Sequence, residues 1–393
     1  MNDKRCDEPP GPGPTEPVAR AKLPELALLF LRLGFTAFGG PAAHVAIMEN
    51  EVVRRRRWLS PEKFLDLLGA ANLIPGPSST ELAIFIGNEQ AGWRGLVLAG
   101  VCFILPAALM VTALAWVYVR FGSVPQISGV LYGIKPVVVA VVVQALWGLG
   151  PKAIKKSFWL GTIGGVACVA SAFHMDALAV LVGAGVVSAA RQRLGKADAR
   201  AGAVLLGGVA GTGATVAVPV SLLALFLTFL KTGAVVFGSG YVLLAFLRAD
   251  LVERLHWLTE QQLLDAVAIG QVTPGPVFTT ATFIGYVLGG GWGALLATVG
   301  IFVPGFLLVM LTRPLVTRVR RSLLASDFLD GVNVAALALM AVVTVQLARA
   351  ALVDVRTIFI ALVGSVLLVR WKVNSTWLVV GGAVLGAVAR MAQ

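Results

Sequence analysis

Residues 34–87 read GFTAFGGPAAHVAIMENEVVRRRRWLSPEKFLDLLGAANLIPGPSSTELAIFIG, and residues 233–285 read GAVVFGSGYVLLAFLRADLVERLHWLTEQQLLDAVAIGQVTPGPVFTTATFIG. The two stretches keep their landmarks 199 positions apart: Gly34 with Gly233, Phe38 with Phe237, Trp58-Leu59 with Trp257-Leu258, Asp66 with Asp265, and Pro75-Gly76-Pro77 with Pro274-Gly275-Pro276. One residue drops out after the Pro-Gly-Pro triplet. The spacing of 198 then pairs Phe85-Ile86-Gly87 with Phe283-Ile284-Gly285, Pro106 with Pro304 and Gly133 with Gly331. Ordered landmarks with a single deletion mark an internal duplication. Helix breakers that return at matched places in two apolar halves point to a transporter built from repeats, with its binding site at the breaks.

The chain is 58% apolar and 13% charged over 393 residues, against roughly 45–50% and about 25% for soluble domains. Its mean hydropathy is +0.86. Apolar runs longer than about 18 residues predict membrane-spanning helices, and a β-barrel would instead show short alternating segments. Residues 1–23 are polar and rich in proline and glycine, which predicts a disordered tail and not a signal peptide. The net charge of +12 comes from basic residues between apolar segments. That is the pattern of cytoplasmic loops in a lipid bilayer, not of a nucleic-acid surface. Cys6, Cys102 and Cys168 have no paired spacing, and His44, His174 and His256 are scattered, so no metal or cofactor is expected. The G-x-x-x-x-G-K-[ST] phosphate loop of ATP-driven proteins is absent, as are concentrated nucleophile–base motifs. A secondary transporter fits better than an enzyme.

The basic clusters are Arg54–Arg57, Lys152/Lys155/Lys156, Arg191/Arg193/Lys196/Arg200, Arg313/Arg318/Arg320/Arg321 and Arg370/Lys372. With all of them on the cytoplasmic side, segment 24–53 has positive charge at both ends. It is then a re-entrant hairpin turning at Phe38-Gly39-Gly40-Pro41. Segment 60–90, broken at the Pro-Gly-Pro triplet, is a second. Residues 94–120, 127–150, 157–173 and 176–190 follow as alternating spans, and 202–220 is a span without a partner in the repeat. That odd span inverts the second copy, with hairpins 222–247 and 259–289 and spans 290–312, 331–349, 352–369 and 375–390. The expected fold is an all-α polytopic membrane protein of two inverted-topology repeats with broken or re-entrant helices, joined by one unpaired transmembrane helix. Its parts are a tail (1–23), a first repeat (24–192), a basic loop with the linking helix (193–221) and a second, inverted repeat (222–390). The count is nine full spans plus four hairpins, or thirteen if the hairpins cross.

A broken helix survives in a membrane only inside protein or against a wet cavity. The break exposes the N–H groups and positive dipole end of the following half-helix, an arrangement that binds anions. Around the first triplet, Pro75, Gly76 and Pro77 are followed by the hydroxyls of Ser78, Ser79 and Thr80. Around the second, Pro274, Gly275 and Pro276 are followed by Thr279 and Thr280. Gly39 and Gly40, with Gly238 and Ser239 in the second copy, let a ligand approach backbone closely. The set suits a small oxyanion. The plainer alternative is that each triplet only kinks a core helix, its hydroxyls bonding back to the backbone. Lys135 either balances a bound dianion or snorkels to the interface. Arg32 either approaches the ligand or pairs with Glu49 or Glu51. Glu81 is a proton carrier or a cap, and His44 a switch or a packing residue.

The blocks FGGP/FGSG and Pro-Gly-Pro together resemble the chromate ion transporter family, over essentially residues 24–390. Two copies in one polypeptide resemble the long-chain, two-domain form. The resemblance implies efflux of chromate from the bacterial cytoplasm across the inner membrane, conferring chromate resistance, with sulfate as the competing tetrahedral analogue. Sulfate or oxyanion uptake and an anion channel of the same fold are the alternatives, and a homodimer stands open as a further partner. The second copy has Gly240 where the first has Pro41, and Leu243 where it has His44, so the halves are not equivalent.

Overall fold

The computed structural model describes residues 21–38, 40–121, 125–154, 157–173, 175–194, 219–237, 240, 242–312, 323–371 and 373–391. Gly39, Gly238, Ser239, residues 202–218 of the expected span 202–220 and the Arg313 cluster lie outside the described residues. Among those described there are helices and no strands. The first half runs α1 (Leu23–Thr36), α2 (Gly40–Glu49), α3 (Pro61–Ala71), α4 (Ser78–Phe121), α5 (Pro125–Ile154), α6 (Phe158–Ala172) and α7 (Ala177–Leu194). The second runs α8 (Leu222–Val235), α9 (Leu243–Leu247), α10 (Glu260–Val272), α11 (Thr280–Thr312), α12 (Leu323–Ala351), α13 (Val355–Arg370) and α14 (Ser375–Met391).

The duplication read from the sequence is a duplication of backbone. α2 and α9 each widen into a π-helical turn, Asn50–Arg55 and Arg248–Arg254. After each turn one residue adopts the left-handed conformation, Arg57 and His256, both with φ 52°. Each triplet turns on a positive-φ glycine, Gly76 at 127° and Gly275 at 96°, a region costly to any residue bearing a Cβ. Both α4 and α11 then fold over at matched sites. Ala91 and Gly92 (φ/ψ −139/23° and 62/−149°) correspond to Gly289 and Gly290 (−143/18° and 61/−152°). The arms close tightly: a Cβ on Gly87 would lie 2.2 Å from the carbonyl of Gly95, and one on Gly285 would lie 2.3 Å from that of Gly293. Each long helix is therefore a short arm after the triplet followed by a long one.

α3 packs against α4, and α10 against α11, on either side of the two triplets. Among the described residues, four helices are long and apolar enough to cross a membrane: Ser78–Phe121, Gly129–Ile154, Val277–Leu311 and Leu324–Ala351. They contain the expected spans 94–120 and 331–349, all but the last residue of 290–312, and all but the first two residues of 127–150. The remaining paired spans appear as shorter apolar helices, Phe158–Ala172, Ala177–Arg191, Val355–Arg370 and Ser375–Val388. Large apolar side chains face outward, including Phe158 at 89% and Trp377 at 73% exposure, as a lipid-facing surface requires.

The halves interlock. α5 packs on α13 and α14 of the second half, while α12 packs on α6 and α7 of the first. α4 also meets its counterpart α11, and α5 meets α12. The closest crossings are reciprocal. A Cβ on Gly133 would sit 1.9 Å from the carbonyl of Gly382, and one on Gly331 would sit 2.4 Å from that of Ala184. Contacts in which i meets j′ and j meets i′ are the mark of a two-fold relation.

Candidate anion site at the paired helix breaks

The central glycine of each triplet bonds across to the other half. Gly76 N–H donates to the carbonyl of Val236 (2.7 Å), and Gly275 N–H donates to that of Ala37 (2.9 Å). Ala37 and Val236 are equivalent residues at the hairpin turns, so each triplet is latched to the turn of the opposite repeat. The tip of the second triplet is wedged into the first half, where a Cβ on Gly275 would lie 2.6 Å from Cβ of Ala107 and 3.4 Å from the Gly34 carbonyl.

After the first triplet, Thr80 N–H and Glu81 N–H both donate to the Pro77 carbonyl (2.7 and 3.2 Å). Pro77 thus stands just ahead of α4 rather than in its first turn. Ser79, Thr80 and Glu81 are each 1% exposed. Ser79 Oγ lies 3.3 Å from Nδ1 of His44, whose Nε2 is 3.0 Å from the Ala37 carbonyl. A carbonyl only accepts, so Nε2 carries hydrogen. In the neutral ring Nδ1 then accepts from the Ser79 hydroxyl. A continuous chain runs Ser79, His44, Ala37 carbonyl, Gly275 N–H, from one triplet to the other. Phe103 packs edge-on against the imidazole at 5.6 Å.

Beside this chain lie polar atoms with no partner. Thr80 Oγ1 and both carboxyl oxygens of Glu81 are buried and make no hydrogen bond. The Glu81 carboxyl lies over Gly76, where a Cβ would come within 1.8 Å of Oε1, and against Gly305, where a Cβ would be 3.3 Å away. Gly305 is the counterpart of Ala107, so the carboxyl occupies the space that a methyl fills in the other half. A carboxylate without counter-charge in such a place costs several kcal/mol. Glu81 therefore aims into the break and does not act as a surface cap.

The second break is spent on itself. Thr279 Oγ1 donates to Pro276 O and Thr280 Oγ1 to Val277 O, both at 2.8 Å. Leu243, at the position of His44, is fully buried. The back-bonded alternative for the hydroxyls thus describes the second copy, and the open polar groups belong to the first. A 3₁₀ turn, Val277–Thr279, precedes α11 where α4 starts directly.

Two side chains lie elsewhere. Lys135 Nζ is 2.9 Å from Asp265 Oδ1, nine residues before Pro274, or about 13 Å along a helix. Arg32 is exposed on α1 and pairs with neither Glu49 nor Glu51, because Arg54 holds Glu49 while Arg55 and Arg56 hold Glu51. The buried stripe Leu26, Leu29, Phe30 and Leu33 turns residue 32 outward. Among the described residues there is no cluster suited to a metal.

Two segments, 24–189 and 223–387, each match the family described as Chromate transporter. The "Chromate transport protein" of Cupriavidus metallidurans is 34% identical, over 99% of this chain and 98% of the relative. The "Probable chromate transport protein" of Synechococcus elongatus is 32% identical over 90% and 91%. The "Chromate transport protein" of Pseudomonas aeruginosa is 33% identical over 83% and 81%. No solved structure matches. The matched segments coincide with the two backbone repeats, and the chain belongs to the chromate transporter family, a family of transport proteins rather than enzymes.

Proposed function

We propose that this protein exports chromate, a tetrahedral dianion, from the cytoplasm across the inner membrane of a bacterium and so confers chromate resistance. The two repeats are inverted, and the anion rests mid-membrane at the first break. There it is held by the N-terminal amides of α4, Ser78, Ser79 and Thr80, with the second triplet closing the site from across the two-fold. One observation carries this reading: the Thr80 hydroxyl is buried without a partner in the first turn of α4, beside the first triplet. The relatives named for chromate transport supply the substrate. An inside-negative potential drives a dianion outward with about 4.6 kcal/mol per 100 mV, twice the single-charge figure. Sulfate competes as an analogue of the same shape.

The test is Thr80→Val. If the hydroxyl serves only the fold, removing an orphan buried group raises stability by about 1–3 kcal/mol and leaves transport intact. If it binds the anion, the melting temperature rises while chromate accumulation in everted vesicles is lost. Normal accumulation would reject the site.

A second reading, oxyanion uptake, draws on Glu81. A proton held there offsets one charge of the dianion, as inward cotransport needs. Cells expressing the protein are then sensitised to chromate, whereas export protects them.

A further inference from the structure

The first break holds a carboxyl beside the groups assigned to the anion. Glu81 stands in the first turn of α4 and is 1% exposed. Among the described residues no donor reaches either of its oxygens. Its Oε1 crowds Gly76 of the triplet, where a Cβ would lie 1.8 Å away, and faces Gly305 of α11, where a Cβ would lie 3.3 Å away. Neither glycine brings a charge or a side-chain hydrogen. The Gly76 N–H is spent on the Val236 carbonyl. The ring nitrogens of His44, also at this break, are both engaged, by Ser79 and by the Ala37 carbonyl. Thr80, the residue before Glu81, is equally buried, and its hydroxyl has no partner either.

The number of hydrogens available here decides what fits. As a carboxylate, Glu81 has two oxygens that only accept; as the acid, it still has one. In either form a buried acceptor lacks a donor, which is costly and rare in folded proteins. A ligand resting against the carboxyl completes the site only by bringing a hydrogen of its own. Tetrahedral oxyanions differ in this respect more than in size. Chromate takes up a proton close to neutral pH, so its singly protonated form is an ordinary species in a cell. Hydrogenphosphate also carries a hydrogen. Sulfate and selenate take one only in strong acid and present accepting oxygens alone. A site built to bond a hydroxyl rejects an analogue without it far more strongly than shape can.

We infer that Glu81 is a specificity-determining residue: its carboxyl admits an oxyanion that binds with a hydrogen between them, as chromate does, and disfavours one that cannot, such as sulfate. This rests on the anion site proposed above and holds for either direction of transport. Sulfate enters by shape, and Glu81 sets how far it falls behind chromate. The stretch after the second triplet, Val277–Thr282, carries no carboxyl, and Thr279 and Thr280 bond to their own turn. The discrimination therefore belongs to the first break.

The experiment uses the full-length protein in everted vesicles at neutral pH, with chromate accumulation measured against rising selenate, sulfate or phosphate. In the parent, phosphate is expected to compete at least about tenfold better than selenate, although selenate is the closer match to chromate in size. Glu81→Met removes both accepting oxygens at nearly constant length and is expected to bring selenate level with phosphate. Glu81→Gln keeps one accepting oxygen, gains a donor and is expected to fall between. A merely structural carboxyl would alter insertion or melting temperature and leave the order of competitors as it was. Selenate that competes as well as phosphate in the parent overturns the inference, and so does an unchanged order in a Glu81→Met protein that inserts and transports. If that variant does neither, Glu81→Gln and the order in the parent decide. Thr80→Val separates this inference from the site it rests on. Lost accumulation there, with an unchanged order in the Glu81 variants, keeps the site and rejects the part given to Glu81. Normal accumulation there, with a changed order, rejects the site at the amides and keeps the carboxyl as the selector.

Discussion

Replacing His44 with leucine makes the first half imitate the second, where Leu243 stands at the same place. The cost can be worked from the contacts. The Ala37 carbonyl keeps its bond from Gly275, so losing Nε2 removes one net hydrogen bond, about 0.5–1.5 kcal/mol. Ser79 Oγ, 1% exposed, keeps no listener for its proton and bears a desolvation cost of about 1–3 kcal/mol. The edge-on contact with Phe103 contributes about 0.5–1.5 kcal/mol, partly replaced by leucine's own packing. A destabilisation of about 2–4 kcal/mol follows, read as a lower melting temperature in detergent. Two further variants divide it. His44→Asn places its amide near Nδ1 and retains the Ser79 contact, whereas His44→Gln reaches toward the Nε2 position and retains the Ala37 contact. If the imidazole matters by anchoring the Ser79 hydroxyl so that the Ser79 backbone amide faces the anion, chromate accumulation in everted vesicles survives in the asparagine variant and fails in the glutamine and leucine variants. Equal transport in all three would refute the role given to the chain from Ser79 to Gly275.

Gly275→Ala is expected to cost about 1–2 kcal/mol for its left-handed backbone and about 1–3 more for crowding Ala107. Adding Ala107→Gly should recover the second part only, measured by thermal melting. Cysteines at Arg57 and His256, exposed left-handed residues at equivalent positions, should be labelled from opposite faces of the membrane; labelling from one face would reject inversion. Asp354 caps α13 through Thr357 N–H (2.8 Å) and also accepts from Tyr132. Asp354→Ala should therefore lower stability by about 1 kcal/mol while leaving the transport rate per inserted molecule unchanged.

The repeat and its matched breaks were legible because helix breakers leave marks that survive at fixed spacing. Pro75-Gly76-Pro77 and Pro274-Gly275-Pro276 reveal themselves without any knowledge of partners. The interlocking of α5 with α13 and α14 left no such mark, since Gly133 and Gly382 are ordinary glycines until a crossing brings them together. Leu243 in place of His44 already set the halves apart in sequence, but the hydroxyls after the two triplets gave no sign of a difference. Thr279 and Thr280 have carbonyls of their own turn within reach, while Thr80 does not, and hydroxyl bonding of that kind is decided by local backbone shape. The Lys135–Asp265 pair had one visible clue, the change from Lys135 to Asn333 between copies, but only the packing of α5 on α10 gives it meaning.

The latches between triplets and turns bear on how such a chain arises. Gly76 N–H finds its acceptor only at Val236, and Gly275 N–H only at Ala37, so neither half can close its own loop. A protein with a single copy of this unit would need a second molecule to lend the carbonyl. Fusion into one polypeptide removes that dependence on encounter. It also frees the borrowed half to drift, and the loss of histidine and open hydroxyls at the second break is the trace that such freedom leaves.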